Sequence, residues 1–434
     1  MTSDDLRDPD TTVATLANGV RVVAIRLPHL QSVNVSVFVR TGSSHEPRRL
    51  NGISHFVEHM AFKGTHARTC QQINLDAERL GADVNAHTDK DHTAYHMRGM
   101  AGDATRFIAM LGDIVQHSSF PESELERERQ VILHELTEDE EDVLSIADKL
   151  FDKLCYGAHP LAQPVIGSRL TVQRITRDEL LGYVGQQYSG ANVVVGIAGN
   201  VDVAEVVAAA EAAFAAMPAG AQNRVEAPLY TGGVASKVQA GYSQTHVVFG
   251  YPVASLREDY HAAVVAAALF GEGMSSPLMD EIRERRGLVY YASCSADIGE
   301  LSGQFVIEAS TSPAQAAECL GALAALLREQ AEQISPDDLA RAKNQIQVRR
   351  LRGLEKPGRR LEEAALDLLV LGRLRPRQEG LDRMQAVSAE QVRSAFAAML
   401  GAGAALALSG RVVRGSADRA AGMLGDAGLL RPAP

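Results

Sequence analysis

The sequence predicts an α+β protein made of two homologous domains, each a mostly antiparallel sheet packed with helices. Three observations predict it. Short runs such as VRVVAIRL and VNVSVFVR read as strands, and helix-like runs separate them. The run ISPDDLARAKNQI echoes FPESELERERQVI, with Leu339 in the place of Leu125. A closing strand repeats as well: AALALSGRV echoes NVVVGIAGN, with Gly410 in the place of Gly199. The two offsets are nearly equal and point to a duplicated unit of roughly 210 residues.

Taken in order, the first copy opens with the two strands just named and continues into a helix carrying HFVEH at 55–59. A second helix is expected near 69–80, strands near 83–88 and 92–98, and helices at 102–117 and 122–153, before NVVVGIAGN closes the unit. The stretch PAGAQNRVEAPLYTGG, 218–233, breaks both periodicities with Pro and Gly and reads as the linker. The second copy begins with THVVFGYP and runs through helices at 257–270 and 276–286 and strands near 289–298 and 302–310. The expected domains are therefore 1–217 and 234–434, and the residues after Val413 suit a short final helix.

Composition narrows the class. A chain of 434 residues with 46% hydrophobic content has material for several cores. A formal net charge of −11 argues against a nucleic-acid surface, which needs clustered Lys and Arg. Cys70, Cys155, Cys294 and Cys319 are far apart and include no CxxC, so neither a disulfide framework nor a thiolate metal site is indicated. The start, MTSDDLRDPDTTV, is acidic where a secretory signal needs a basic region and an apolar core, and it lacks the Arg-rich character of a transit peptide. The most apolar runs, AAVVAAALFG and NVVVGIAGN, are far shorter than the roughly 20 residues that span a bilayer. A cytoplasmic location away from membranes is the expectation.

The chemistry concentrates at His55, Glu58 and His59. On a helix His55 and His59 lie one turn apart on the same face, and Glu58 falls between them. Burying imidazole and carboxylate beside Phe56, Val57, Met60 and Phe62 is costly unless the polar groups have a partner. Two neutral imidazoles and one further carboxylate make a first shell for a catalytic Zn²⁺ with a position left for water. Glu135, on the later helix-like run ERERQVILHEL, is the candidate third ligand, and Glu58 is then free to act as a base. Glu128, seven residues before Glu135, shares nearly the same helix face and suits an outer carboxylate. Glu138 competes by spacing but sits in TEDEED, a solvated acidic surface, and His134 points elsewhere.

The order HxxEH reverses the commoner HExxH. With the distant Glu135, and with NGISHFVEHMAFKGT, AERLGADVNAHTDKDHTAYH and an acidic helix around it, the chain resembles the pitrilysin or insulinase family of zinc peptidases, which includes the mitochondrial processing peptidases. The resemblance implies a zinc endopeptidase that cleaves extended or unfolded peptides in a closed chamber, two domains forming half of a clamshell. It implies His55, His59 and Glu135 as ligands, Glu58 as the base and Glu128 behind them. Asn85, Ala86 and His87 are implied as the exposed strand on which substrate pairs its backbone, a mode that tolerates varied side chains. A substrate-gripping Arg and Tyr seven apart are implied in the second half, where GEGMSSPLMDEIRERRGLVYYAS offers Arg283 and Tyr290, with Arg285, Arg286 and Tyr291 as neighbours of the same type. Four-domain relatives exceed this length, so a second chain is implied, a homodimer in preference to a heterodimer with a paralogue. The alternative is a non-catalytic structural subunit of the same fold.

Two further features bear on the site. Opposite HFVEH the second copy has apolar AAVVAAALF, and Arg349 falls opposite Glu135, so only the first copy offers metal ligands. His87, His92 and His96 form a rival cluster, disfavoured because no further ligand has convincing spacing.

Overall fold

Strand VVVGIAG is apolar along its whole length, which suits a strand covered on both faces, and its neighbours RVVAIR and SVNVSVFV are rich in β-branched residues. In the computed structural model, which describes residues 8–430, they build two sheets. The first contains β1 (Thr11–Thr15), β2 (Arg21–Arg26), β3 (Ser32–Val39), β4 (Asp83–Thr88), β5 (Thr93–Met100) and β6 (Val193–Gly199), in the order β1-β2-β6-β3-β5-β4. The second contains β7 (Gly233–Val238), β8 (Thr245–Val253), β9 (Val289–Ile298), β10 (Gly303–Thr311) and β11 (Ala405–Gly410), in the order β7-β11-β8-β10-β9. Each sheet has one parallel pair, β2 with β6 and β7 with β11, and is otherwise antiparallel. Without β1 the two orders coincide element for element. The duplication expected from the offsets is therefore present in the topology.

Three local details differ from expectation for physical reasons. Strand β7, GVASKV, lies at the end of the stretch read as linker; its half-exposed residues lack a hydrophobic period. The single helix expected at 122–153 is two, α4 at Glu122–Glu141 and α5 at Val143–Tyr156. Asp142, with ψ 120°, leaves helical geometry and caps α5 by accepting from the Leu144 and Ser145 amides. The helix expected at 276–286 is a short α-turn, Pro277–Met279, continued by π-helical winding over Asp280–Arg285.

The first sheet buries one face against α1 (Ile53–Ala61), α2 (Cys70–Arg79), α3 (Ala104–His117) and α4, through Val35, Val37, Tyr95, Phe56, Met60, Phe107 and Leu111. Its other face, with Val23, Ile25, Phe38, Ala94 and Val194, is covered by Leu361, Ala365, Leu368 and Leu369 from late in the chain. Residues 352–377 accordingly belong to the first compact unit, with 1–136 and 163–225. The second unit comprises 137–162, 226–351 and 378–434, and there Ala147, Phe151 and Cys155 of α5 cover Val248, Ala405 and Ala407. The contiguous domains 1–217 and 234–434 are thus replaced by interleaved units. A sheet of this composition needs both faces covered, and each copy's second face is covered by the helix that follows the long helix of the other copy.

Glycine makes room on both sides. A Cβ on Gly196 of β6 would stand 2.7 Å from Leu361 Cδ1, and one on Gly250 of β8 2.8 Å from Phe151 Cζ. The close approach of helix to sheet depends on the missing side chain at each place.

Candidate metal centre

Helix α1 begins at a glycine N-cap that has no side chain to accept its first amides. A carboxylate supplied from six residues upstream takes that role: Glu46 Oε2 accepts from Gly52 N at 2.7 Å and Oε1 from Ser54 N at 2.8 Å, while Asn51 Nδ2 donates to Oε2 at 2.9 Å. Burial pushes the Glu46 carboxyl up, and these donors counteract it. Ile53, Phe56, Val57 and Met60 are buried. The opposite side of the same turns is left to His55, Glu58 and His59, all half-buried.

Helix α4 brings the distal carboxylates. Its buried Arg129 donates to the Val172 and Ile175 carbonyls and lies with its guanidinium carbon 5.3 Å from the Phe56 ring centre, which fixes α4 beside α1. Glu135 Oε2 then lies 3.8 Å from His55 Nε2 and 3.5 Å from His59 Nε2. One ligand atom from each of the three residues lies within 4.8 Å of the others. Glu128, two turns back, accepts from His59 Nδ1 at 3.1 Å and from Lys63 Nζ at 2.7 Å. That bond fixes the His59 tautomer and turns Nε2 toward Glu135.

Burial and neighbouring charges set the proton affinity of each group. Burial, reinforced by the neighbouring His59, pushes His55 down to about 3, so its ring is the neutral, ligating form. Its Nδ1 is buried without a hydrogen-bond partner among the described residues, and its Nε2 is the nitrogen turned toward Glu135. Burial acts to lower His59 too, but the hydrogen bond to Glu128 and the charges of Glu135 and Glu58 raise it above its ordinary value. For Glu128 burial acts upward, and His59 and Lys63 outweigh it and hold the carboxyl low. Glu58 is raised, chiefly by burial, against the Thr88 hydrogen bond. Thr88 Oγ1 donates to Glu58 Oε2 at 2.6 Å and so orients a carboxylate that stands outside the group of His55, His59 and Glu135. Two imidazoles and a carboxylate converging on one point, with a separate carboxylate beside them, can hold a divalent ion and take a proton from a water attacking there.

The remaining expected residues are placed as follows. Asn85, Ala86 and His87 lie on β4, the edge strand of the first sheet, with Asn85 exposed. The His87 side chain meets His92 and His96, whose rings burial pushes down to about 4. Arg283 and Tyr290 belong to the second unit, and the metal group to the first. There the Arg283 guanidinium carbon lies 5.7 Å from the centre of the Tyr290 ring, which is 82% exposed. Glu138 is exposed, as expected of the acidic surface, and His134 is exposed as well. Glu46, Lys63 and Thr88 escaped the sequence reading; a Glu shortly before a capless helix start was the one available signal, for Glu46. The four cysteines are free, and no helix among the described residues is long and apolar enough to cross a membrane.

Comparison with known proteins places these features in context. Residues 21–169 match the family model described as insulinase (peptidase family M16), and residues 174–346 match peptidase M16 inactive domain. A Rickettsia felis protein named an uncharacterized zinc protease is 30% identical over 383 residues, covering 88% of this chain and 92% of the relative. A Bacillus subtilis protein, also named an uncharacterized zinc protease, is 30% identical over 384 residues, covering 87% and 93%. A crystal structure described as a peptidase M16 inactive domain from Pseudomonas fluorescens shares the fold, with a TM-score of 0.86, 21% identity and coverage of 93% of this chain and 98% of that one.

Proposed function

Since this chain belongs to the insulinase family of peptidases, family M16, we propose that it is a zinc-dependent endopeptidase acting on extended or unfolded peptides. The observation that carries the reading is the convergence of His55, His59 and Glu135 on one point with Glu58, a carboxylate outside that group, held beside them by Thr88. His55, His59 and Glu135 would hold the metal, and Glu128 orients His59. Zinc held there supplies Lewis acidity, polarising the scissile carbonyl and acidifying the attacking water.

The rest is the work of side chains. Glu58 accepts the water proton and returns it to the departing amine, and its raised affinity for protons suits that task. The exposed edge of β4 offers backbone groups to an extended peptide. Arg283 and the exposed ring of Tyr290 would grip peptide or meet developing oxyanion charge. Because one chain carries both the metal ligands and this pair, a homodimer in which each chain serves the other's metal is self-sufficient.

Metal removal tests the reading. Chelation should abolish hydrolysis of an unstructured peptide, and zinc should restore it. Full hydrolysis by metal-free protein would overturn the proposal and favour a different catalytic apparatus.

A further inference from the structure

The edge hairpin β4–β5 carries a second group of donors that the peptidase reading leaves unused. Register sorts its side chains by face. Thr88 pairs with Thr93, next to Val39, on the α1 side, whereas His87 pairs with Ala94, next to Phe38, on the side covered by Leu361. His87 and Glu58 therefore belong to opposite faces of the sheet, although Thr88 hydrogen-bonds Glu58. On the outer face the helix Pro357–Leu366, part of the same compact unit, contributes Glu362. One donor atom from each of His87, His92 and Glu362 lies within 4.8 Å of the others.

We propose that His87, His92 and Glu362 form a second divalent transition-metal site, separate from the one on α1. The Nε2 atoms of His87 and His92 are 3.3 Å apart. Two nitrogens bound to one tetrahedral ion at about 2.0–2.1 Å are separated by about 3.3–3.4 Å, so both rings stand as they would as ligands. The far side of His87 is arranged as a ligand's outer shell: its Nδ1 lies 3.0 Å from His96 Nε2, and His96 Nδ1 lies 2.7 Å from Ser36 Oγ. With Nε2 given to a metal, the proton of His87 sits on Nδ1 and is donated to His96, which donates in turn to Ser36. Asp89 adds negative charge beside His92, and His92 is buried. Imidazole nitrogens with one carboxylate suit zinc, nickel or copper above magnesium or calcium. An ion there ties the β4–β5 turn to a helix supplied from near the other end of the chain.

Zinc counting on the full chain decides it. Metal-free protein equilibrated with Zn²⁺ should retain two equivalents per chain by elemental analysis, and Glu362→Gln or His92→Asn one. Glu135→Gln should also retain one, and Glu135→Gln combined with Glu362→Gln none, which separates this site from the peptidase centre. Glu362 is only half-buried, so its shape-preserving variant decides the matter if His92→Asn does not fold. One equivalent in the wild type that is lost in Glu135→Gln and kept in Glu362→Gln, or two equivalents retained by folded Glu362→Gln, overturns the proposal; the imidazoles would then be hydrogen-bonded to one another only.

Discussion

At the scale of single residues the site divides labour among four carboxylates of one type. Glu135 faces both imidazoles, Glu58 is held by Thr88, Glu128 bonds His59 and Lys63, and Glu46 satisfies the first amides of α1. Neighbours and not side-chain chemistry separate their roles. Glu58→Gln is expected to keep zinc and lose hydrolysis by about 10²–10⁴-fold, the usual worth of a general base. A zinc-loaded variant with wild-type turnover would remove Glu58 from that role. Glu135→Gln is expected to lose zinc from this centre outright, whereas Glu128→Gln should weaken metal affinity or activity by roughly 10–100-fold, as for an outer-shell partner. Metal analysis giving the opposite order would exchange the two assignments.

At the scale of elements, the reciprocal covering of each sheet by a helix from the other copy depends on small residues beneath the helix. Leu361 is fully buried against Gly196. Gly196→Ala places a methyl 2.7 Å from Leu361 Cδ1 and is expected to cost about 1–3 kcal/mol as overpacking. Leu361→Ala alone should cost about 2–5 kcal/mol through the cavity it leaves. In the double variant the added methyl occupies space vacated by leucine, so the losses should sum to less than their separate values. Strict additivity in chemical denaturation would show that the helix does not rest on Gly196.

At the scale of the whole molecule, the metal group lies in one compact unit and the Arg283–Tyr290 pair in the other. On the homodimer reading, Glu58→Gln chains and Tyr290→Phe chains are each inactive, and mixing them should restore part of the activity, because a mixed dimer contains one site with both residues intact. Absence of activity after demonstrated subunit exchange, or full activity of an isolated wild-type monomer, would overturn that arrangement.

The sequence by itself determined what local pattern can encode. Helical spacing puts His55 and His59 on one face with Glu58 between them, and the same spacing pairs Glu128 with Glu135. The matching offsets of Leu125 to Leu339 and of Gly199 to Gly410 announced two copies of one topology, and short apolar runs located most strands. Tertiary structure decided which distant groups meet. An amphipathic helix records that one face is buried and not which sheet buries it, so the exchange of 137–162 and 352–377 between units was invisible. The same limit hid Glu362: its place beside His87 and His92 follows from Leu361 and Ala365 docking on the outer sheet face, a packing choice no spacing along the chain expresses. Lys63, Thr88 and Glu46 stayed unread for the same reason, since a hydrogen bond between elements is set by how the elements pack.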